Sequence, residues 1–199
     1  MSTATAEIAA EAARLIVDEG MEYAAAKRKA AQTLGRRSGR SAGLPSNEEV
    51  EDEVRAHIEL FHADTQPLEL DALRRLAMQW MQRLQEFRPH LGGAVWRGTA
   101  TRRSAIHIEL YCDDPKSAEV HLLNLGINFD LGPQPQGSED PMSVLTVGAR
   151  CEGLDEWVSI HLIVRDKDDL RGALKPDARG TNWRGDLAGL QRLLAEAAA

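Results

Sequence analysis

Along the first part of the chain, apolar residues recur every three or four positions. Ile8, Ala12, Leu15 and Ile16 share one helical face, and Gly20 stands where a left-handed cap would end that helix. A second helix is expected over 21–34, stopped by Gly35, after which 36–46 is rich in Gly, Ser and Arg and reads as a loop. Ser46 followed three residues later by Glu49 makes a capping box, and Val50, Val54, Ile58 and Phe61 form the stripe of a third helix. Asp64 or Thr65 caps a fourth, in which Leu70, Leu73, Leu76, Ala77, Trp80, Met81, Leu84 and Phe87 keep helical spacing until Pro89 forbids continuation.

Near residue 90 the long stripes give way to short apolar runs separated by turn signals. Strands are expected over 91–97, 105–112, 127–131, 143–151 and 158–165. Asp114 as cap, Pro115 in the first turn and Gly126 beyond the last turn bracket a helix bearing Ala118, Leu122 and Leu125. A final helix, capped near Thr181 or Asn182, carries Trp183, Leu187, Leu190 and Leu194. The segment 132–141, with three prolines, reads as a loop. The fold class is therefore α+β: a helical N-terminal region, 1–88, followed by a mixed sheet with flanking helices, 89–199.

Composition narrows this picture only by exclusion. The 199 residues are 43% hydrophobic and 28% charged, with a formal net charge of −7, and a chain of this length can fold around its own core. No apolar run approaches the roughly 18–20 residues that span a bilayer, so no membrane is expected. The N-terminus lacks a basic segment followed by an apolar one, which points to a cytoplasmic protein with Cys112 and Cys151 reduced. The acidic balance argues against a chain coated in nucleic acid. There is no Gly-x-x-x-x-Gly-Lys-Ser/Thr loop, no Gly-x-Gly-x-x-Gly, no His-Glu-x-x-His and no Cys-x-x-Cys, which argues against P-loop ATPases and ligases, Rossmann dehydrogenases and zincins.

One segment carries more chemistry. Residues 98–110 read Gly-Thr-Ala-Thr-Arg-Arg-Ser-Ala-Ile-His-Ile-Glu-Leu between an incoming and an outgoing strand. The stretch resembles the nucleotidyltransferase superfamily of polymerase-β-like enzymes, whose members carry Gly-Ser after a first strand and Ser-Asp-hydrophobic-Asp at a second. Gly98 falls on the family glycine, Thr99 on its serine, and Ser104 on the residue before the first metal-binding aspartate. Ala105 and His107 occupy the places of the aspartates; a register two residues later puts His107 and Glu109 there instead. Residues 105, 107 and 109 share one face of a strand in either case.

The resemblance implies a nucleotidyltransferase-like sheet over 89–199 and transfer of a nucleotidyl group from an NTP to an unidentified acceptor. Gly98, Thr99, Arg102, Arg103 and Ser104 would hold the triphosphate. His107 and Glu109 would be the catalytic pair and would bind a divalent metal, Mg²⁺ or Mn²⁺ in the family manner, or Zn²⁺ given the imidazole. In 158–164 the alternation places His161 on the face of a later strand, so that His107, Glu109 and His161 form a candidate metal set. The same alternation also fits polar residues on the solvent side of a half-buried sheet. With the aspartates missing, a nucleotidyltransferase-like fold that has lost catalysis and acts as a binding or regulatory module stands beside the active enzyme. Asp113 and Asp114 read as a turn and cap, and Asp130 is a further acidic candidate.

Two other features stay open. Lys27, Arg28, Lys29, Arg36, Arg37 and Arg40 lie in a stretch, 23–47, without an acidic residue, which fits either a phosphate or RNA contact or a solvated helix face and loop. The four tryptophans, Trp80, Trp96, Trp157 and Trp183, fall on apolar faces and read as core, and 165–177 reads as a charged connector. Homo-oligomerisation is left open as well.

Overall fold

The computed structural model describes residues 3–35, 43–132, 142–175, 180 and 182–197. Among these the fold is α+β, with seven α-helices and a six-stranded mixed sheet. The expected loop at 132–141 lies, but for Gly132, outside the described residues, as do Arg36, Arg37 and Arg40.

The helical region begins with α1 (Thr3–Glu19), α2 (Tyr23–Thr33) and α3 (Asn47–Phe61). Helix α1 packs on both α2 and α3, and Ile8, Leu15, Val50 and Val54 are buried between them with a row of alanines. Two of the anticipated caps are in place here. Gly20 takes φ +70° at the end of α1. Ser46 accepts from Glu49 N at 3.1 Å while Glu49 Oε2 accepts from Ser46 N at 2.7 Å, which completes the capping box of α3. Replacing Ser46 with alanine is expected to lower stability by about 1 kcal/mol, read as a shift in the urea midpoint.

Helix α4 (Gln66–Arg83) is shorter than its apolar stripe suggested. It gives way to a 3₁₀ turn, Gln85–Phe87, and Arg88 then enters the left-handed region at φ +49°. Contacts divide the chain into two compact units, Met1–Glu69 with Thr99–Ser104, and Leu70–Gly98 with Ala105–Ala199. The division thus falls within α4 rather than at residue 88, and the segment after Gly98 belongs to the helical unit.

The second unit holds β1 (His90–Gly92), α5 (Gly93–Arg97), β2 (Ile106–Cys112), α6 (Pro115–Asn124), β3 (Asp130–Leu131), β4 (Ser143–Cys151), β5 (Glu156–Asp166), β6 (Arg184–Gly185) and α7 (Leu187–Ala197). The strand order is β3-β4-β5-β2-β1-β6; β2 and β5 are parallel and every other neighbouring pair is antiparallel. One face of β2 and β5 is apolar: Ile106, Ile108, Leu110, Ile160, Leu162 and Val164 are fully buried. Helix α6 packs on these two strands with Ala118 and Leu122 buried.

Four further expectations need correction. The run 91–97 is not one strand: Gly93 turns at φ +66° against the His107 ring, where a Cβ would lie 3.0 Å from Nδ1, and the chain continues as α5. The strand expected over 127–131 is reduced to Asp130–Leu131. Gly126 at φ +68° closes α6 in a Schellman motif, its N–H donating to Leu123 O and that of Ile127 to Leu122 O at 2.9 Å, so Ile127 is tied to the helix end. At the C-terminal end, residues 184–185 pair with β1, and α7 starts only at Leu187, where Asp186 Oδ1 accepts from Gly189 N at 2.8 Å. Trp80 is buried, but Trp157 is 71% exposed on β5 and is not part of the core.

Candidate functional site

The segment expected to cradle a triphosphate is divided between the units: Gly98 belongs to the second and Thr99–Ser104 to the helical one. Gly98 keeps a left-handed φ of +84°, as the C-cap of α5, and its N–H donates to Ala94 O at 2.9 Å. The Arg74 guanidinium donates to Val95 O and Trp96 O, satisfying the same helix end. Burial holds the Arg74 pKa below its ordinary value.

Thr99 is 2% exposed and donates to Glu51 Oε1 at 3.1 Å, a buried carboxylate that also accepts from Tyr23 and pairs with Arg55. Thr101 N donates to Ser104 Oγ at 3.0 Å, and Arg102 N donates to Glu69 Oε2 at 2.9 Å. Two of the backbone amides that could cradle a phosphate are therefore occupied by this chain's own side chains. The Arg102 and Arg103 side chains are exposed.

The predicted metal set is brought to one sheet face without converging. His107 and His161 are register partners on β2 and β5, with ring centroids 5.1 Å apart and Thr146 Oγ1 2.9 Å from His161 Nδ1. Glu109 shares that face but turns to cations. Its Oε2 accepts from Arg184 and, at 2.6 Å, from Tyr111 Oη, while Arg165 Nε lies 3.3 Å away without the alignment of a hydrogen bond. Burial and this bond push the Tyr111 phenol up to about 12.

Among the described residues, the three ligand types that lie within 4.8 Å of one another are Asp18, His57 and His62, not His107, Glu109 and His161. Glu109 is instead seen as an ion-pair partner of Arg184. An arginine already opposite the carboxylate competes with any metal for it.

Lys27 donates to Asn47 Oδ1 and Pro45 O, Lys29 pairs with Glu19 at 2.7 Å, and Arg28 is exposed. Asp114 is the N-cap of α6, accepting from Lys116 N, and Asp130 is exposed on β3.

A site that sequence reasoning passed over lies at the carboxyl ends of the parallel pair. Cys112 and Asp166, register partners, end β2 and β5, and a cleft of about 640 Å³ opens beside them. It is lined by Cys112, Asp113, Lys116, His121 and Lys167, with Phe87 at one side. Open α/β sheets place ligands outside the carboxyl ends of parallel strands, and the size is that of a small-molecule pocket. The only signal in the sequence was Asp113–Asp114–Pro115 directly after an apolar strand, a strand-to-helix turn.

No family model, curated protein or solved structure matches this chain.

Three of the lining side chains, Lys167, Lys116 and His121, are paired with carboxylates. Lys167 Nζ lies 3.2 Å from Asp113 Oδ2, Lys116 holds Glu119 at 2.8 Å, and His121 pairs through Nδ1 with Glu86 while its Nε2 is buried without a hydrogen bond. The Phe87 ring meets the His121 ring edge-on at 5.3 Å. Both lysine pairs are exposed on the lysine side, and such pairs contribute about 0–1 kcal/mol, so an incoming anion can exchange for the carboxylate at little cost. Cys112 donates to Asp114 O at 3.2 Å, and burial together with the charges of Asp114 and Asp113 raises its thiol pKa. Cys151 is unbridged as well, but only 2% exposed. No helix among the described residues is long and apolar enough to cross a membrane.

Proposed function

We propose that this chain is a non-catalytic binding module on a nucleotidyltransferase-like sheet, and that it takes a phosphate-bearing small molecule of nucleotide size in the cleft at the ends of β2 and β5. The observation that carries this reading is the cleft itself: two lysines and the start of α6 gather at the carboxyl ends of the parallel strands. Lys116 and Lys167 would pair with the phosphate in place of Glu119 and Asp113. Transfer chemistry is disfavoured by the state of Glu109, because two-metal phosphoryl transfer needs carboxylates that face the metals, and this one faces Arg184.

Cys112 provides the test. Its raised pKa keeps the thiolate fraction at neutral pH below that of an ordinary free thiol, so iodoacetamide is expected to modify it slowly, and faster as pH rises. With Cys151 buried, the modified residue is assignable by peptide mass. Saturable protection of Cys112 by ATP, GTP, CTP or UTP, weakened in Lys116→Ala and Lys167→Ala and unaccompanied by pyrophosphate release, is the expected result. Pyrophosphate release in Mg²⁺, Mn²⁺ or Zn²⁺ would restore the active transferase. Absence of protection by every nucleotide would remove the ligand class.

A further inference from the structure

We propose that Asp18, His57 and His62 form a Zn²⁺ site in the helical unit, each giving one ligand atom and leaving a fourth position to water. The site is independent of the cleft and shares no residue with it. His57 lies in α3, and His62, five positions on, would point well away from it on a continuous helix. The helix ends between them: His62 is the C-cap of α3 at φ −132°, ψ 11°, which swings its ring back to the side of His57, with centroids 6.0 Å apart. Asp18 comes from the last turn of α1, which packs on α3.

Two of the three ligand-atom separations are those of a tetrahedral ion. Asp18 Oδ1 lies 3.3 Å from His57 Nε2 and 3.2 Å from His62 Nε2, and all three ligand atoms fall within 4.8 Å of one another. Zinc bonds of about 2.0–2.1 Å to nitrogen and oxygen make the edge of a coordination tetrahedron about 3.3–3.4 Å long. Two imidazoles with one carboxylate suit Zn²⁺ rather than Mg²⁺ or Ca²⁺, which take oxygen ligands.

Electrostatics point the same way. A carboxylate in the last turn of a helix meets the negative end of its dipole, and α1 has no basic residue in that turn. Neighbouring Glu19 is compensated by Lys29 and Arg14, whereas Asp18 is faced by the two imidazoles. The side chains of Asp18, His57 and His62 are 36%, 17% and 32% exposed, which leaves a path for the ion. The metal would displace the protons that now bridge the imidazoles to the carboxylate, so its binding releases protons.

The test uses the full chain after chelator treatment, with Zn²⁺ alone as probe in competition with a chromophoric chelator. One equivalent is expected to bind, at least tenfold more weakly in His62→Ala and in Asp18→Ala and unchanged in His107→Ala, with folding of each variant checked by far-UV circular dichroism. Co²⁺ added to the unaltered chain should give the intense visible absorption of a four-coordinate ion, which keeps the proposal testable where a variant does not fold. Substoichiometric Zn²⁺, a full equivalent retained without His62 and Asp18, or a Co²⁺ spectrum no stronger than that of the aquo ion would each overturn it.

Discussion

Replacing Glu109 with alanine is expected to destabilise the protein by about 3–5 kcal/mol, the range found when one partner of a buried ion pair is removed. The carboxylate is 8% exposed in the middle of β2. Its Oε2 takes Arg184 from the far edge of the sheet and Tyr111 from the same strand, and Arg184 Nη1 in turn lies 3.2 Å from Tyr111 Oη. Alanine would leave the half-buried guanidiniums of Arg184 and Arg165 side by side with no anion between them. Urea unfolding gives the magnitude. A second signal reports the same group: the Tyr111 phenol, now pushed up to about 12 by burial and by Glu109, should titrate at lower pH once the carboxylate is gone. A loss below about 1 kcal/mol, in the range of an exposed ion pair, would show that Glu109 does not hold this corner of the sheet and would reopen its reading as a metal ligand.

Gly20→Ala is expected to cost about 2–4 kcal/mol, from two sources that a control separates. Gly20 sits at φ +70°, which an L side chain tolerates poorly, and a Cβ there would lie 2.6 Å from the carbonyl oxygen of Arg103. That neighbour is backbone and cannot rotate away. Gly35, at φ +66° with nothing within 4 Å of its would-be Cβ, isolates the conformational part, and Gly35→Ala should cost only about 1–2 kcal/mol. Equal losses in the two variants, measured by thermal unfolding, would mean that the close approach of Arg103 contributes nothing.

What could be read from the chain follows how far apart the interacting residues stand. The capping box at Ser46 and Glu49, the cap and stop of α6 at Asp114 and Gly126, and the end of α1 at Gly20 are signals carried within a few positions, and each is realised in the structure. Alternation along 105–112 and 158–165 likewise placed His107, Glu109 and His161 on a common face. It could not say which way Glu109 turns, because Arg184 arrives from 75 positions away on a two-residue strand with no pattern of its own.

The bend within 91–97 is hidden for a related reason. The apolar residues of this segment suit a strand, and only the packing of Gly93 against His107 shows why the chain must bend there. Asp18, His57 and His62 left no trace in the sequence at all, since their meeting depends on a helix ending between the two histidines. Local rules locate element ends; they do not locate the partners of a charge.

The allocation of Thr99–Ser104 to the helical unit bears on the order in which this chain can fold during synthesis. Thr99 completes the set of donors on Glu51, and Thr101 donates to Val17 O, so α1 and α3 wait for residues that emerge from the ribosome after β1 and α5. The polypeptide passes from one unit to the other three times, at 69–70, 98–99 and 104–105. No single cut yields an intact half, and a protease that nicks the 99–104 segment would strike both the wall of one unit and the connection to the strand that carries Glu109.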